Sequence, residues 1–292
     1  MLNLLRSDLY RATRIRGLRG LMWQYLLVIL VCTLLDTAGL WMSIRAGAVP
    51  DVSALITTPS TFIAKQSLGP SSIVVIASAI GLTEFIFSDL GDSYMRTIVS
   101  SLRGRLPYLA EKIVLAGVWT GILLIASCVL ALIAFWVLIS IPYGIGFSKM
   151  DDALPVVAWV LESWLVSWAS ALISLPIALL VRRKLPTYLL VMIAQLGFMS
   201  FALTLGANII QAQGGSSPLL ESLASALLVA AMWLPETVLG TLSAGAGIMG
   251  DASQLMTFAG PLPTWLWALA VGAVWLLLSG GMLILIGSKR DL

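Results

Sequence analysis

Apolar runs of membrane-crossing length recur along this chain from residue 21 almost to its end. A helix needs about 20 mostly apolar residues to cross the hydrocarbon layer of a bilayer. Six stretches meet or approach that length: residues 21–44, 72–87, 113–141, 153–181, 185–210 and 264–286. A water-soluble domain of this size would need far more charge to cover its surface, yet only 11% of the 292 residues are charged and 59% are hydrophobic. The expected class is therefore an all-α integral membrane protein with six transmembrane helices, one transmembrane domain over residues 1–292.

The second stretch is short and is expected to run into its polar flanks. The third and fourth are long enough to tilt or project, and Pro176 predicts a kink in the fourth. Charge placement sets the expected orientation. Fourteen of the seventeen Lys and Arg residues fall before the first span, after the second, after the fourth and at the C-terminus. Only Arg45, Lys65 and Lys149 lie in the other loops. Basic loops stay in the cytoplasm, so both termini are expected inside a cell membrane. Trp23 and Tyr25 at the start of the first span read as interfacial anchors, as do Trp41, Trp136, Trp159, Trp265 and Trp267 toward the outer ends.

Residues 219–234 form a further apolar run whose uninterrupted core is short. A seventh span here would put Lys289 and Arg290 outside, against the charge bias. It reads as an outer re-entrant or surface segment before the last span. At the N-terminus, Leu2, Leu5, Leu9 and Ala12 share one face of a helix with Asn3, Arg6 and Arg11 elsewhere, the pattern of a helix lying in the membrane interface.

Several chemistries lack their parts. The chain has no histidine, which removes Ser-His triads and His-metal centres. It has no Gly-Lys pair, so no phosphate loop of the Walker type, and no enzymatic activity, catalytic residue, metal or cofactor site is expected in it. Cys32 and Cys128, both in apolar runs, read as packing residues. Gly117-x-x-x-Gly121 predicts close helix approach, and Gln195 and Asn208 predict hydrogen bonds between helices. Asp36, Glu84 and Glu162 lie in or near spans, where a charge is expensive and marks a candidate translocation path. Asp36 and Glu162 belong to the outer half, and Glu84 to the inner end, where an arginine is its expected partner.

The stretch 89–112 combines Asp89, Arg96, Ser100, Ser101, Arg105, Tyr108 and Lys112 between two spans, a basic cytoplasmic helix suited to docking a soluble partner. In these residues the chain resembles the ABC type-2 transporter permeases, particularly the small six-span membrane subunits of peptide and drug exporters of the lantibiotic-immunity type. Leu4-Leu5-Arg6-Ser7-Asp8-Leu9-Tyr10 is similar to the N-terminal interfacial helix of that family; Ser93 and Leu102 depart from it, standing where its members often have glycine. The resemblance implies a coupling helix at Asp89–Lys112, two separate ABC ATPase subunits that carry the ATP and Mg, and a second permease copy or paralogue. No nucleic-acid partner is expected. The competing reading from the residues alone is an ion-coupled secondary transporter using Asp36, Glu84 and Glu162.

Overall fold

The computed structural model describes residues 2–14, 21–47, 58–68, 73–91, 105–213, 218–249, 254–257 and 260–289. In chain order its helices are α1 (Leu2–Thr13), α2 (Leu21–Arg45), α3 (Pro59–Leu68), α4 (Ile73–Gly91), α5 (Leu106–Phe135), α6 (Ala153–Leu172), α7 (Ser174–Val181), α8 (Lys184–Gln195), α9 (Phe198–Gln213), α10 (Pro218–Met232), α11 (Pro235–Leu242) and α12 (Thr264–Lys289). A short antiparallel hairpin, β1 (Gln254–Thr257) and β2 (Gly260–Pro263), leads into α12 with Gln254 opposite Pro263.

Five helical stretches are long and apolar enough to cross a membrane: Leu21–Arg45, Ile73–Gly91, Leu106–Tyr143, Ala153–Val181 and Thr264–Lys289. The number rises to seven if each of two bent pairs, α8–α9 and α10–α11, is one span. These helices make the chain a multi-pass membrane protein.

Each break has a local cause. The fourth stretch is interrupted at Ile173, three residues before Pro176, whose ring cannot tolerate the carbonyl of residue 172 in a regular helix. The 53° bend between α8 and α9 falls at Leu196–Gly197, where Gly197 takes φ +76°, a conformation open to glycine at little cost. Pro235 opens α11 after the 67° bend that ends α10.

Contacts along α5 order its neighbours. Phe62 of α3 meets Phe135, Ser67 of α3 bonds Ser127 at 2.7 Å, and Phe85 of α4 meets Trp119. Thus α3 and α4 run one after the other antiparallel to α5, and the short second stretch of the sequence is the longer part of a two-piece element. α5 itself begins at Leu106, earlier than hydropathy indicates, because Lys112 is enclosed and paired.

The notch at Gly117 and Gly121 takes two tryptophans of α6. A Cβ on Gly117 would stand 2.8 Å from the Trp168 ring and one on Gly121 3.0 Å from that of Trp164. Trp164 donates to the Gly117 carbonyl at 2.8 Å and Trp168 to that of Ile113 at 2.9 Å, the two rings stacked. Gln195 makes the expected interhelical bonds, with Ser170 of α6. Trp159 and Trp267 are core residues, 2% and 1% exposed, not the interfacial anchors that their positions near span ends suggest.

The basic segments gather at one end. α1 packs on the start of α5, Lys184 pairs with Glu84 near the end of α4, and Gly287 near the end of α12 abuts Leu109. At the far end, Asp151 accepts from the N–H of Ser60 at 2.8 Å and from its hydroxyl at 2.7 Å, while the Ala246 N–H donates to the same Ser60 oxygen at 2.9 Å.

Candidate functional site

At the basic end three helices bring five polar side chains into one enclosed cluster. Asp8 and Arg11 lie one turn apart on α1, and Tyr108 and Lys112 one turn apart on α5, so each helix presents its pair on one face. Asp89 closes the cluster from the last turns of α4. Arg11 lies 2.8 Å from Asp89 and 3.1 Å from Asp8. Lys112 lies 2.9 Å from Asp89 and also bonds Asp8, while the Tyr108 hydroxyl donates to Asp89 at 2.7 Å. Asp8, Asp89 and Lys112 are each at most 2% exposed.

Removing ions from water costs several kcal/mol apiece, which only close pairing and hydrogen bonding offset. Here the carboxylates of Asp8 and Asp89 face the cations of Arg11 and Lys112, with Glu111 as a third acid beside Lys112. Burial works against the charge on Arg11, but the hydrogen bond and charge of Asp89, helped by Asp8, hold its guanidinium above its ordinary range. The Lys112 ammonium also stands 4.9 Å from the centre of the Tyr108 ring, a favourable cation–π distance. Glu111 is enclosed beside them, 3.5 Å from Lys112, with no hydrogen bond to either carboxylate oxygen.

The cluster ties α1 to both ends of the 92–104 segment. Of the residues expected in the coupling stretch, Asp89, Tyr108 and Lys112 are therefore brought together, but facing inward rather than toward a partner. Arg105 stands half-buried at the start of α5. Arg96, Ser100 and Ser101 lie outside the described residues. Asp8 and Arg11 complete the cluster, with Glu111 beside it, and sequence reasoning did not assign these three to a site. The available signal was Asp8, an acid set inside the apolar stripe of Leu5, Leu9 and Ala12.

The three path candidates occupy three different surroundings. Asp36 is exposed on α2, flanked by exposed Leu34 and Leu35. Glu84 pairs with Lys184 at 3.1 Å and accepts from the Tyr188 hydroxyl. Lys184 of the 182–184 link is thus a cation that pairs with it. Glu162 is 6% exposed, and its Oε2 has no hydrogen-bond partner. A fourth carboxylate, Glu236, is not among the residues the sequence singles out. It opens α11, its Oε1 is buried without a hydrogen-bond partner, and a Cβ placed on Gly197 at the α8–α9 bend would stand 3.7 Å from its Cγ. The bends of both pairs therefore meet at one carboxylate, beside the N-termini of α9 and α11, where helix dipoles favour negative charge.

The fold defines a class, the multi-pass helical membrane proteins, and within it five polar side chains form a structural lock at one end, while Asp36, Glu84, Glu162 and Glu236 stand apart from it. No family model, curated protein or solved structure matches the chain.

Proposed function

We propose that this chain is the membrane-spanning permease subunit of an ATP-driven ABC exporter that moves a peptide or amphiphilic drug-like molecule out of the cell. The observation that carries the reading is the lock joining Asp8, Arg11, Asp89, Tyr108 and Lys112. It clamps the N-terminal helix and both roots of the 92–104 segment into one unit at the basic end. A partner pushing on such a unit moves α1, α4 and α5 together, whereas a loop on slack roots would absorb the motion. Two ATPase subunits would bind ATP and Mg and supply that push through the differing affinity of nucleotide for their open and closed states. Arg96, Ser100, Ser101 and Arg105 are the residues assigned to the contact.

In this reading the basic end faces the cytoplasm of the cell membrane, as the charge bias requires, and α1 lies in the interface. Six traversals follow: α2, α3–α4, α5, α6–α7, α8–α9 and α12. The α10–α11 pair enters from the outside and returns. Its bend at Trp233 accepts a hydrogen bond from Trp275, midway along α12, and its end at Leu242 accepts one from Trp159, near the outer end of α6. Both contacts support a re-entrant course.

Asp36 supports a second permease copy or paralogue. A carboxylate facing lipid costs about 2.5–3.5 kcal/mol at mid-bilayer on insertion scales. Among the described residues Asp36 has no hydrogen-bond or ion-pair partner, and α2 is the least buried of the long spans. A subunit seam or watered path along this face removes the cost.

Ion-coupled secondary transport is the second reading, favoured by the two helix bends that meet at Glu236, since broken helices often frame coupling-ion sites. Inverted membrane vesicles separate the two. The exporter reading expects uptake driven by ATP, blocked by vanadate and indifferent to a protonophore, with a Walker-motif protein co-purifying. Uptake driven by a proton gradient alone overturns it.

A further inference from the structure

Between α5 and α6, beyond the stacked Trp164 and Trp168, the helices part and leave two cavities that meet at Val160. The cavity nearer the basic end, about 350 Å³, is walled by Gly117, Gly121, Ile125, Leu161 and Trp164. The one nearer the far end, about 310 Å³, is walled by Ile63, Cys128, Val156 and Trp159 and closes on Asp151. Ile125 and Leu161 beside them are more than half exposed, so the groove opens sideways at bilayer depth. From Gly117 to Cys128 it follows eleven residues of helix, roughly 16 Å at the helical rise.

The polar end of this groove is set by Asp151. Both Asp151 oxygens are held by Ser60, which fixes the carboxylate without neutralising it. Asp151 forms no ion pair with any described residue, Asp152 beside it is exposed, and exposed Lys149 does not reach it. Among the described residues, Asp151 is thus the one charged side chain lining the apolar slot, with exposed Asp152 next to it in the chain.

We propose that the α5–α6 groove binds a single-chain cationic amphiphile, with its alkyl chain along Val160 and its cation against Asp151, within the field of adjacent Asp152. Lipid tails are as apolar as the groove wall, so the chain gains little by leaving the bilayer. Discrimination lies at the head, where a fixed carboxylate beside low-dielectric protein attracts a cation more strongly than in bulk water. Amphiphiles with the same chain and a neutral or anionic head gain nothing there. This site goes beyond the export reading, because binding needs neither ATP nor an ATPase.

The test uses the purified full chain in phosphatidylcholine nanodiscs, without nucleotide. The probe is a dodecyltrimethylammonium carrying a diazirine at the chain end, and adducts are located by mass spectrometry. Labelling is expected on residues 117–125 and 160–164, which line the cavity away from Asp151, suppressed by excess dodecyltrimethylammonium but not by dodecyl sulfate or dodecanol. Val160→Phe, which fills the junction of the two cavities, should cut labelling about tenfold, and Asp152→Asn combined with Asp151→Asn should remove most of the preference for the cationic head, a loss of about tenfold in affinity. If Asp151→Asn does not fold, Asp152→Asn and Val160→Phe still read the head and the slot separately. Adducts spread over the lipid-facing residues of α2, α9 and α12, equal competition by dodecyl sulfate, or labelling untouched by Val160→Phe would each overturn the proposal. Because no ATPase is present, these outcomes stand apart from the success or failure of the export reading.

Discussion

The Lys112 ammonium lies 2.9 Å from the Asp89 carboxylate with both side chains enclosed, at 1% and 0% exposure. Lys184 lies 3.1 Å from Glu84 at the same end of the bundle, but these side chains are 59% and 31% exposed. The two pairs look alike on a contact map and differ in energy. Removing one partner of a buried pair strands the other charge and costs about 3–5 kcal/mol. An exposed pair contributes about 0–1 kcal/mol, because water and salt already solvate its members.

Lys112→Met is therefore expected to lower stability by about 3–5 kcal/mol, since Asp8 and Asp89 are left with Arg11 alone. Lys184→Ala should cost less than about 1 kcal/mol. Unfolding in detergent, followed by tryptophan fluorescence, measures both. The double variant Lys112→Met, Asp89→Asn should recover part of the loss, as coupled neighbours do not add. Equal losses for Lys112→Met and Lys184→Ala would show the lock to be no more than a surface pair.

The α5–α6 notch makes a sharper steric prediction. Alanine at Gly117 would put its Cβ 2.8 Å from the Trp168 ring, and overpacking of this kind costs about 1–3 kcal/mol. Gly39→Ala and Gly281→Ala meet nothing within 4 Å and should change stability by less than about 0.5 kcal/mol. Thermal denaturation of the three variants in one detergent compares them directly.

The long spans were readable because an uninterrupted apolar run has few alternatives, and Leu21–Arg45 and Thr264–Lys289 lie within a turn of the runs that predict them. α3 was not readable. Ser60, Thr61, Lys65, Gln66 and Ser67 make it look like a loop, yet Ser60 and Ser67 are buried against Asp151, Ala246 and Ser127. Polar groups that satisfy each other inside a bundle cannot be told from solvated ones by hydropathy. The lock was half readable for a related reason. Asp89, Tyr108 and Lys112 stood out as a pattern, but their inward direction depends on Asp8 and Arg11, far away in sequence and near only after folding. Glu236 escaped because nothing in the sequence indicates that the turn at Pro235 meets the turn at Gly197.

Orientation can be read by thiol labelling in a chain with Cys32 and Cys128 replaced. Cysteines at Met150 and Leu219, each 80% exposed, should react with a membrane-impermeant maleimide in intact cells. Ser60, at the same end as Met150, is a poor reporter at 2% exposure. A cysteine at Ser288 should react only after the membrane is opened. Labelling of Ser288→Cys from outside would make α10–α11 a full span.

Asp36→Asn removes a charge from the exposed face of α2 while keeping the side chain's size. Export of a cationic substrate is expected to fall several-fold, with the amount of inserted protein unchanged. Glu162→Gln tests the enclosed carboxylate in the same assay. A double variant that accumulates normally and exports at the full rate would take both residues out of the path.

Arg96→Glu tests energy coupling at its proposed point of contact. The lock leaves Asp89, Tyr108 and Lys112 enclosed, so the partner must meet residues of the segment they anchor, and Arg96 lies within it. An acidic groove on an ATPase would pair with Arg96, and a glutamate in its place both removes the bond and adds repulsion. Losing such an interfacial partner typically costs about 2–5 kcal/mol of binding, and the upper figure is roughly several thousand-fold in affinity. That suffices to separate the ATPase from the membrane subunit. The coupling reading expects thermal stability to stay within about 0.5 kcal/mol of the parent chain, whereas Lys112→Met lowers it. The measurements are ATPase co-purification and substrate-stimulated ATP hydrolysis at matched protein levels. If Arg96→Glu keeps both at the parent level, the 92–104 segment is a solvated basic flank and the lock serves stability alone.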